Sequence, residues 1–289
     1  MIRKRFAYHR PADVTEVIEV LAAEGRDACV LAGGTLVVPE LTIGSVQPTA
    51  VVDLRSAGLD TIRADGDHLR IGATTTYADL AASEAVAQRA PVLQSLARGI
   101  TGGPQIRNQG TIGGSACYAS PSSDVPAALV ALDARLRLVS VRGEREVPAK
   151  EFFTGACATL RADDELLSEI AVAYGSAQVR FGYYKLKLCE SSWPIATAAC
   201  AVTVRADGVC TAARLALGGV AAIPVVVPVE DILVGTTIGE TELTAVAARA
   251  EAAVVTPWSD VLADGTYRRG VAGVVAKRAL SRTTLPTPP

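Results

Sequence analysis

Two pairs of adjacent glycines constrain this chain more than any other feature of its sequence. Gly33-Gly34 follows a short apolar run, in A-G-G-T, and Gly113-Gly114 lies in T-I-G-G-S-A-C-Y-A-S-P-S-S-D, a segment rich in small residues. Glycine adopts positive φ freely, so each pair is compatible with a simple tight turn. Each segment can also expose successive backbone N–H groups, and such nests bind phosphate oxygens. The sequence therefore predicts either two tight turns or two loops around one anionic ligand.

The usual nucleotide motifs are absent from the sequence. It contains neither G-x-x-x-x-G-K-[ST] nor a G-x-G-x-x-G between a predicted strand and a predicted helix. If a pyrophosphate is bound, it is therefore held by two separate loops.

Several side chains near these loops are candidates for ligand contacts, and each has a structural alternative. Asp124 can accept from a ribose hydroxyl or cap the helix that follows, and the two roles are compatible. Tyr118 can line a ring-shaped ligand or pack against a sheet. Hydroxyls that can donate to phosphate or ribose, or satisfy local backbone, belong to Thr35, Ser115, Ser120 and Ser123.

Composition narrows the class of protein. Hydrophobic residues make up 49% of the 289 residues and aromatics only 4%, which suits a core of small aliphatic side chains with α/β packing. The chain has 28 basic and 30 acidic residues, and its longest run of basic residues is the three at positions 3–5. It therefore lacks the basic patch that is typical of nucleic-acid-binding proteins. The longest apolar stretch, 195–204, is about half of a membrane span, and no apolar core follows the basic N-terminus. We expect a soluble, cytoplasmic protein.

Cysteine and histidine usage argues against a metal site. Six cysteines show no C-x-x-C and no regular spacing, and His9 and His68 are the only histidines. In the cytosol such cysteines are most often small buried hydrophobes. We expect neither a metal centre nor a histidine-based triad in this chain.

The first half of the chain predicts alternating helices and strands. Apolar residues from Val14 to Leu21 recur at helical spacing, and Gly25 can end that helix in a left-handed conformation. Asp65-Gly66 predicts a hairpin turn. The other predicted elements are strands at 28–32, 50–54, 134–141 and 145–148, a helical region at 76–99, and a helix that Ser123 and Asp124 begin and Pro126 tolerates.

The sequence pattern changes near residue 175. Three alternating strands follow, and Asp207-Gly208 is a strong hairpin signal between the last two. These strands are predicted at 178–188, 196–205 and 209–217, and helices at 228–234, 239–254 and 266–282. We predict domains at 1–175 and 176–289, the first split into subdomains of about 1–55 and 56–175, and a disordered tail at 284–289.

Together these segments resemble the FAD-binding medium subunit of the xanthine dehydrogenase and carbon monoxide dehydrogenase group of molybdenum hydroxylases, over nearly the whole chain. A-G-G-T, I-R-N-Q-G-T-I-G-G-S and S-P-S-S-D-V-P-A-A-L-V-A-L-D-A are similar to the family's flavin loops. P-W-S-D-V-L-A-D-G-T-Y-R-R-G-V-A-G-V-V-A-K-R-A-L is similar to its closing helix. The resemblance implies an α+β fold: an FAD-binding domain of the vanillyl-alcohol-oxidase (PCMH) type with two α/β subdomains, then a small α+β domain with an antiparallel sheet and helices.

The resemblance also implies where FAD binds. In the family the pyrophosphate lies between the two glycine loops, Asp124 matches a ribose-side or loop-anchoring acid, and Lys185 matches a lysine close to the flavin. A cation there would favour the anionic reduced flavin, although a lysine on a strand is more often solvated. The candidate cofactor-binding residues are Ala32, Gly33, Gly34, Thr35, Leu36, Thr111, Ile112, Gly113, Gly114, Ser115, Tyr118, Asp124, Leu166, Leu167 and Lys185.

The sequence departs from the family pattern at two places. Ser115 stands where the family usually has Asn, so a hydroxyl replaces an amide. The segment T-L-V-V-P-E at 35–40 lacks the common polar residue after the first loop. Since most of the expected donors are backbone groups, we expect FAD binding to survive both changes.

The implied function is that of an oxidoreductase subunit. Electrons would pass from a molybdenum cofactor on a large subunit, through [2Fe–2S] clusters on a small subunit, to this FAD and then to NAD, a quinone, oxygen or a carrier. The lack of a cluster motif in this chain agrees with clusters on another chain. Two alternatives stay open: a stand-alone FAD-dependent enzyme of a dedicated pathway, with its substrate near Tyr118, Tyr183 or Tyr184, and a scaffold without flavin.

Overall fold

The chain folds into an N-terminal part with two larger sheets and the two-stranded sheet β8-β9, and a C-terminal part with one further large sheet. The structure, a computed structural model, describes residues 2, 4–174 and 178–283. The N-terminal elements are β1 (Ala7–His9), α1 (Val14–Glu24), β2 (Ala28–Leu31), α2 (Val37–Ile43), β3 (Ala50–Asp53), β4 (Ile62–Asp65), β5 (His68–Gly72), α3 (Tyr77–Ala82), α4 (Glu84–Arg89), α5 (Pro91–Gly99), α6 (Gly103–Arg107), α7 (Ile112–Tyr118), α8 (Val125–Ala131), β6 (Arg135–Ser140), β7 (Gly143–Pro148), α9 (Ala149–Phe152), β8 (Phe153–Gly155), β9 (Ala158–Thr159) and β10 (Leu166–Ala173). The C-terminal elements are β11 (Val179–Lys187), β12 (Pro194–Val204), β13 (Cys210–Gly218), β14 (Val225–Val227), α10 (Glu230–Leu233), α11 (Glu240–Ala253) and α12 (Gly265–Leu280).

The first sheet is small and parallel, with the strand order β1-β3-β2. Helix α1 buries Val17 and Leu21 against it, and Asp13 caps the helix by accepting from the Glu16 N–H at 3.0 Å. Gly25 ends α1 at the predicted place with φ +57°, but its ψ of −133° lies outside the left-handed helical region, so that detail was wrong. Strand β2 lies at the edge of this sheet and leads directly into the first glycine pair.

The second sheet is antiparallel, with the order β4-β5-β10-β6-β7. The hairpin predicted at Asp65-Gly66 is confirmed, with Gly66 at φ +60°. The helical region predicted at 76–99 is instead three helices, α3 to α5. Ser83 takes extended dihedrals and caps α4, and Pro91 removes the N–H that would continue α4 into α5.

The C-terminal sheet is antiparallel in the order β11-β12-β13-β14, which confirms the predicted strands and the hairpin at Asp207-Gly208. Helices α11 and α12 share a core with one face of this sheet. Residues on the other face, among them Phe181, Ala199 and Ala201, share the main core with α8, whose seven residues are all buried. Helix α8 therefore packs against β12 and β13 of the C-terminal sheet.

Two predictions fall on residues outside the described ranges: the domain boundary at 175–176 and the tail at 284–289. Within the described ranges, no helix combines the length and the hydropathy needed to cross a membrane.

The carboxylate of Asp53 joins β1 to β3 and gives the first sheet an acid-sensitive contact. Asp53 is fully buried and accepts from the Tyr8 hydroxyl and from the Arg55 guanidinium, with Nε at 2.8 Å. Burial alone would raise the pKa of this carboxyl, but donation from Arg55 and Tyr8 outweighs it and lowers the pKa to about 2. The stabilisation is fully present above the unfolded-state pKa of about 4 and is lost as the pH falls towards 2.

We therefore expect Asp53→Asn to flatten the acid limb of the stability profile. Denaturant unfolding, measured at several pH values between about 5 and about 2, should show a smaller loss of stability in the variant than in the wild type. Asp27→Asn, an exposed change that removes the same charge, serves as the control. Equal slopes for wild type and Asp53→Asn would contradict the assignment.

Candidate functional site

The two glycine loops meet in the folded chain. Gly33 packs against the turn before α7, where a Cβ would lie 1.8 Å from the Gln109 carbonyl oxygen and 3.1 Å from the Gly110 Cα. The contact between the loops therefore requires glycine at this position. Residues of both loops line one cavity of about 440 Å³. Among the candidate residues at 32–36 and 111–115, Ile112 is the exception, because its side chain is fully buried in the core.

The first loop presents a row of free donors. The backbone N–H groups of Gly33, Gly34, Thr35 and Leu36 have no acceptor among the residues that the structure describes. Gly34 turns the chain at φ +69°. Successive N–H groups fixed by a turn bind an anion without requiring a cation, so this loop can hold a phosphate group.

The second loop differs from its prediction, because most of it is helix. Thr111 caps α7 by accepting from the Gly114 N–H at 3.1 Å, and the Gly113 N–H donates to the Ala73 carbonyl at 2.9 Å. The expectation that this pair exposes free N–H groups was therefore wrong. Its glycines serve close packing instead, since a Cβ at Gly113 would lie 2.5 Å from the Ala73 carbonyl oxygen. The loop contributes the wall of the cavity, while the first loop contributes its free donors.

Strand β2 and the start of β10 form a further part of the wall of the first cavity. The predicted residues Leu166 and Leu167 line it, as do Ala28, Cys29 and Val30 of the edge strand. Sequence reasoning missed this strand as a wall because nothing in its residues distinguishes an edge strand beside a cavity from a core strand.

Arg161 also lines the first cavity, and sequence reasoning missed it too. Its Nη1 donates to the carbonyls of Ala162 at 2.8 Å and Glu165 at 2.7 Å, which fixes the guanidinium in its turn. A single arginine in a polar loop gives no sequence signal for such a position.

Three of the six cysteines lie on the wall of this cavity: Cys29, Cys117 and Cys157. Burial raises the pKa of the Cys117 thiol to about 11, against a smaller opposing effect of Arg161. Burial and then Glu40 raise the pKa of Cys29. The thiols of Cys29 and Cys117 are therefore neutral near pH 7 and act as small packing groups. The expectation of buried cysteines holds for Cys200 and Cys210, whereas Cys157 and Cys189 are exposed.

A second cavity, of about 290 Å³, continues from the first. The two cavities share Thr35, Leu36, Ser115 and Tyr118, so together they form one elongated cleft in the size range of ligand pockets. The second cavity is further lined by Ser120, Ser122, Ser123, Asp124 and Trp193.

Two tyrosines hold the junction between the cavities in place. The Tyr118 hydroxyl donates to Glu40 Oε1 at 2.8 Å, and burial followed by this carboxylate raises the pKa of Tyr118, so the phenol stays neutral. Ser115 Oγ is hydrogen-bonded to the Tyr77 hydroxyl. The hydroxyl that replaces the family's amide at Ser115 is thus already engaged within the protein.

A buried ion pair lies beside the second cavity. Asp124 Oδ2 lies 2.9 Å from Lys185 Nζ, and their side chains are only 6% and 8% exposed. The ammonium also donates to the Gly99 carbonyl at 3.1 Å and to Thr101 Oγ1 at 3.2 Å. Tyr183 donates to the other carboxylate oxygen, and burial followed by Asp124 holds the pKa of Tyr183 well above its usual range.

This pair corrects two expectations. Asp124 makes no capping hydrogen bond to α8, and Ser123 Oγ accepts only weakly from the Val125 N–H, at 3.4 Å. Lys185 is buried and not solvated, and its ammonium is paired with the Asp124 carboxylate. Asp124 lines the second cavity, whereas Lys185 lines a neighbouring one. The pair therefore brings no net charge to the cleft.

The sequence also missed Trp193, which lines the second cavity and remains 39% exposed. Its indole offers a flat apolar surface for a planar ligand. Among the described residues, no group of three or more His, Cys, Asp or Glu side chains is placed to hold a metal ion.

The cleft belongs to a chain that matches two family models along most of its length. Residues 4–173 match the FAD binding domain in molybdopterin dehydrogenase, and residues 181–283 match the CO dehydrogenase flavoprotein C-terminal domain.

Related proteins and a solved structure agree. The chain is 37% identical to the carbon monoxide dehydrogenase medium chain of Hydrogenophaga pseudoflava, over 97% of this chain and 98% of the relative. It is 32% identical to the 6-hydroxypseudooxynicotine dehydrogenase complex subunit alpha of Paenarthrobacter nicotinovorans, over 96% and 94%. A solved structure of the Hydrogenophaga pseudoflava carbon monoxide dehydrogenase superposes with a TM-score of 0.92 at 35% identity, over 97% of this chain and 98% of that one. The predicted α+β fold and the family resemblance are confirmed.

Proposed function

The chain belongs to the family of FAD-binding medium subunits of molybdenum hydroxylases, and we propose that it carries electrons from [2Fe–2S] clusters on a partner chain to an external acceptor. FAD, when bound, supplies the redox group that takes up these electrons and releases them. The observation that carries this proposal is the row of free N–H groups at 33–36, at the centre of a long cleft. Such a cleft matches a dinucleotide, whose anionic pyrophosphate lies between two ring systems.

We assign the parts of the cofactor to the parts of the cleft in the following way. The N–H groups of residues 33–36 would hold the pyrophosphate, with α7 closing the other side. Adenosine would occupy the first cavity, against β2 and the Leu166–Leu167 segment. The flavin ring would occupy the second cavity, beside Tyr118, Asp124 and Trp193. The Asp124–Lys185 pair would anchor the cavity wall without adding net charge.

The partners follow from the names of the relatives. A medium chain and a subunit of a dehydrogenase complex imply larger and smaller companion chains. A molybdopterin-binding large subunit and a [2Fe–2S] small subunit would supply the chemistry for which this chain carries no cluster motif. We place the complex in the cytoplasm, in agreement with six cysteines that form no disulfide.

Purification of the tagged full-length chain from its native cells tests this function. We expect FAD, molybdenum, iron and two further subunits in one complex, because the chain holds only the flavin end of the electron path. The chain expressed alone should bind FAD yet turn over no aldehyde or heteroaromatic substrate. Turnover by the lone chain would favour the stand-alone enzyme instead, and a colourless chain that cannot be reconstituted with FAD would refute both.

A further inference from the structure

Arg268 is a fully buried cation that lines neither cavity of the cleft. It lies on α12 with 0% of its side chain exposed. Its guanidinium donates to the Gly219 carbonyl at 2.6 Å, to the Ala263 carbonyl at 3.3 Å and to the carbonyl of Ile195. Burial of an arginine is costly unless its donors are satisfied and its charge is paired, so these contacts indicate a built arrangement.

The counter-ion of Arg268 is Asp260, and Asp260 also reaches the other domain. One carboxylate oxygen accepts from Arg268 and from the Leu262 N–H at 2.8 Å. The other accepts from Trp258 Nε1 at 3.2 Å and from Ser122 Oγ at 3.0 Å. The bond to Ser122 spans 138 positions of sequence and joins the C-terminal domain to the loop between α7 and α8.

The two ends of this pair hold two segments that line the second cavity. Ser122 lines it, and so does Asp124 two residues later. Ile195, whose carbonyl Arg268 holds, follows Trp193 and Pro194, which also line it. Neither Asp260 nor Arg268 lines this cavity, so the pair acts through the backbone segments that it joins.

We propose that Asp260 and Arg268 are positioning residues that align these two segments around the flavin end of the cleft. The inference rests on the proposed function, since it assigns the second cavity to the flavin ring. The segments that the pair holds line the second cavity through Ser122, Trp193 and Pro194, and none of these three residues lines the first. The Asp260–Arg268 pair therefore acts on the flavin half of the cofactor and not on its ADP half. Docking of the C-terminal domain and flavin binding are coupled through the Asp260–Ser122 bond.

The test compares FAD with ADP as ligands of the full-length apoprotein. ADP carries the adenosine and pyrophosphate but no flavin. Ser122→Ala removes the Ser122–Asp260 bond and leaves Arg268 paired with Asp260, and we expect it to weaken FAD binding about two- to tenfold while changing ADP binding less than about twofold. The visible circular dichroism of the bound flavin should change as well, because Asp124 and Trp193 shift around the ring.

Controls separate the possible failures. Asp260→Asn should show the same selective loss with a larger effect, if it folds, because it leaves Arg268 buried without its counter-ion. Asp231→Asn breaks the exposed pair with Arg249 in the same domain, and it should change neither the affinity for FAD or ADP nor the circular dichroism of the bound flavin. Equal losses of FAD and ADP, or no loss of FAD in Ser122→Ala, would overturn the positioning role. A wild-type chain that binds ADP but not FAD would instead refute the proposed function.

Discussion

Gly33→Ala is expected to weaken FAD binding about tenfold to a hundredfold and to destabilise the fold. A Cβ at this position would lie 1.8 Å from the Gln109 carbonyl oxygen and 2.6 Å from its carbon. Both are backbone atoms, so relief requires the two loops to separate by more than an ångström. Overpacking of this kind costs about 1–3 kcal/mol of stability. The N–H groups of residues 33–36 would also move away from the positions in which they can donate to the phosphates, which lowers the affinity for FAD. Thermal unfolding and titration of the apoprotein with FAD measure the two effects.

A glycine in open space provides the matched control. A Cβ at Gly270, on α12, has no neighbour within 4 Å, so Gly270→Ala should leave FAD affinity unchanged and should not destabilise the helix. If Gly33→Ala bound FAD with wild-type affinity, the close contact between the loops would play no part in cofactor binding. Gly113→Ala, with its clash against Ala73, should resemble Gly33→Ala.

The importance of the glycines could be predicted from the sequence. It could not be predicted that the first loop provides free N–H donors while the second provides a helical wall. Glycine has low helix propensity, so T-I-G-G-S gave no sign that it begins α7. The helix forms there because Thr111 caps it and because Ala73 accepts the Gly113 N–H from another part of the chain. Such tertiary contacts override local propensity, and they also occupy the donors that the sequence alone left free.

Contacts across the domains were the other limit of sequence reasoning. Asp124 precedes a helix, and local rules correctly make such a residue a candidate cap. Its side chain turns instead to Lys185, 61 positions away, because α8 lies against the C-terminal sheet. Asp260 lies in a segment that the family resemblance singled out, yet its bond to Ser122 depends on how the two domains dock. Hydrophobic periodicity predicts the helices and strands, and the resemblance predicts the family. Neither predicts which side chains form hydrogen bonds between the two domains.

Lys185→Met is expected to destabilise the protein by about 3–5 kcal/mol, because it leaves the Asp124 carboxylate buried without its cation. The methionine keeps most of the apolar volume, so the loss reflects charge and not a cavity. Denaturant unfolding of apoprotein and FAD-bound protein measures the effect. Lys187→Met on the same strand breaks a pair with the highly exposed Glu190 and should have little effect, since surface pairs contribute little.

The double variant Asp124→Asn/Lys185→Met separates the pair from its surroundings. If the ammonium and carboxylate stabilise each other mainly by compensating mutual burial, removing both charges should restore much of the stability that Lys185→Met loses. Tyr183 can still donate to the amide oxygen of an asparagine, so the hydrogen bond to the loop survives in the double variant. FAD affinity should then be close to that of the wild type, because the segment that carries residue 124 is held in place in both proteins and the pair has no net charge in either the wild type or the double variant. Additive losses in the double-mutant cycle would show that each residue acts independently, and the ion pair would no longer explain how the loop before α8 is anchored.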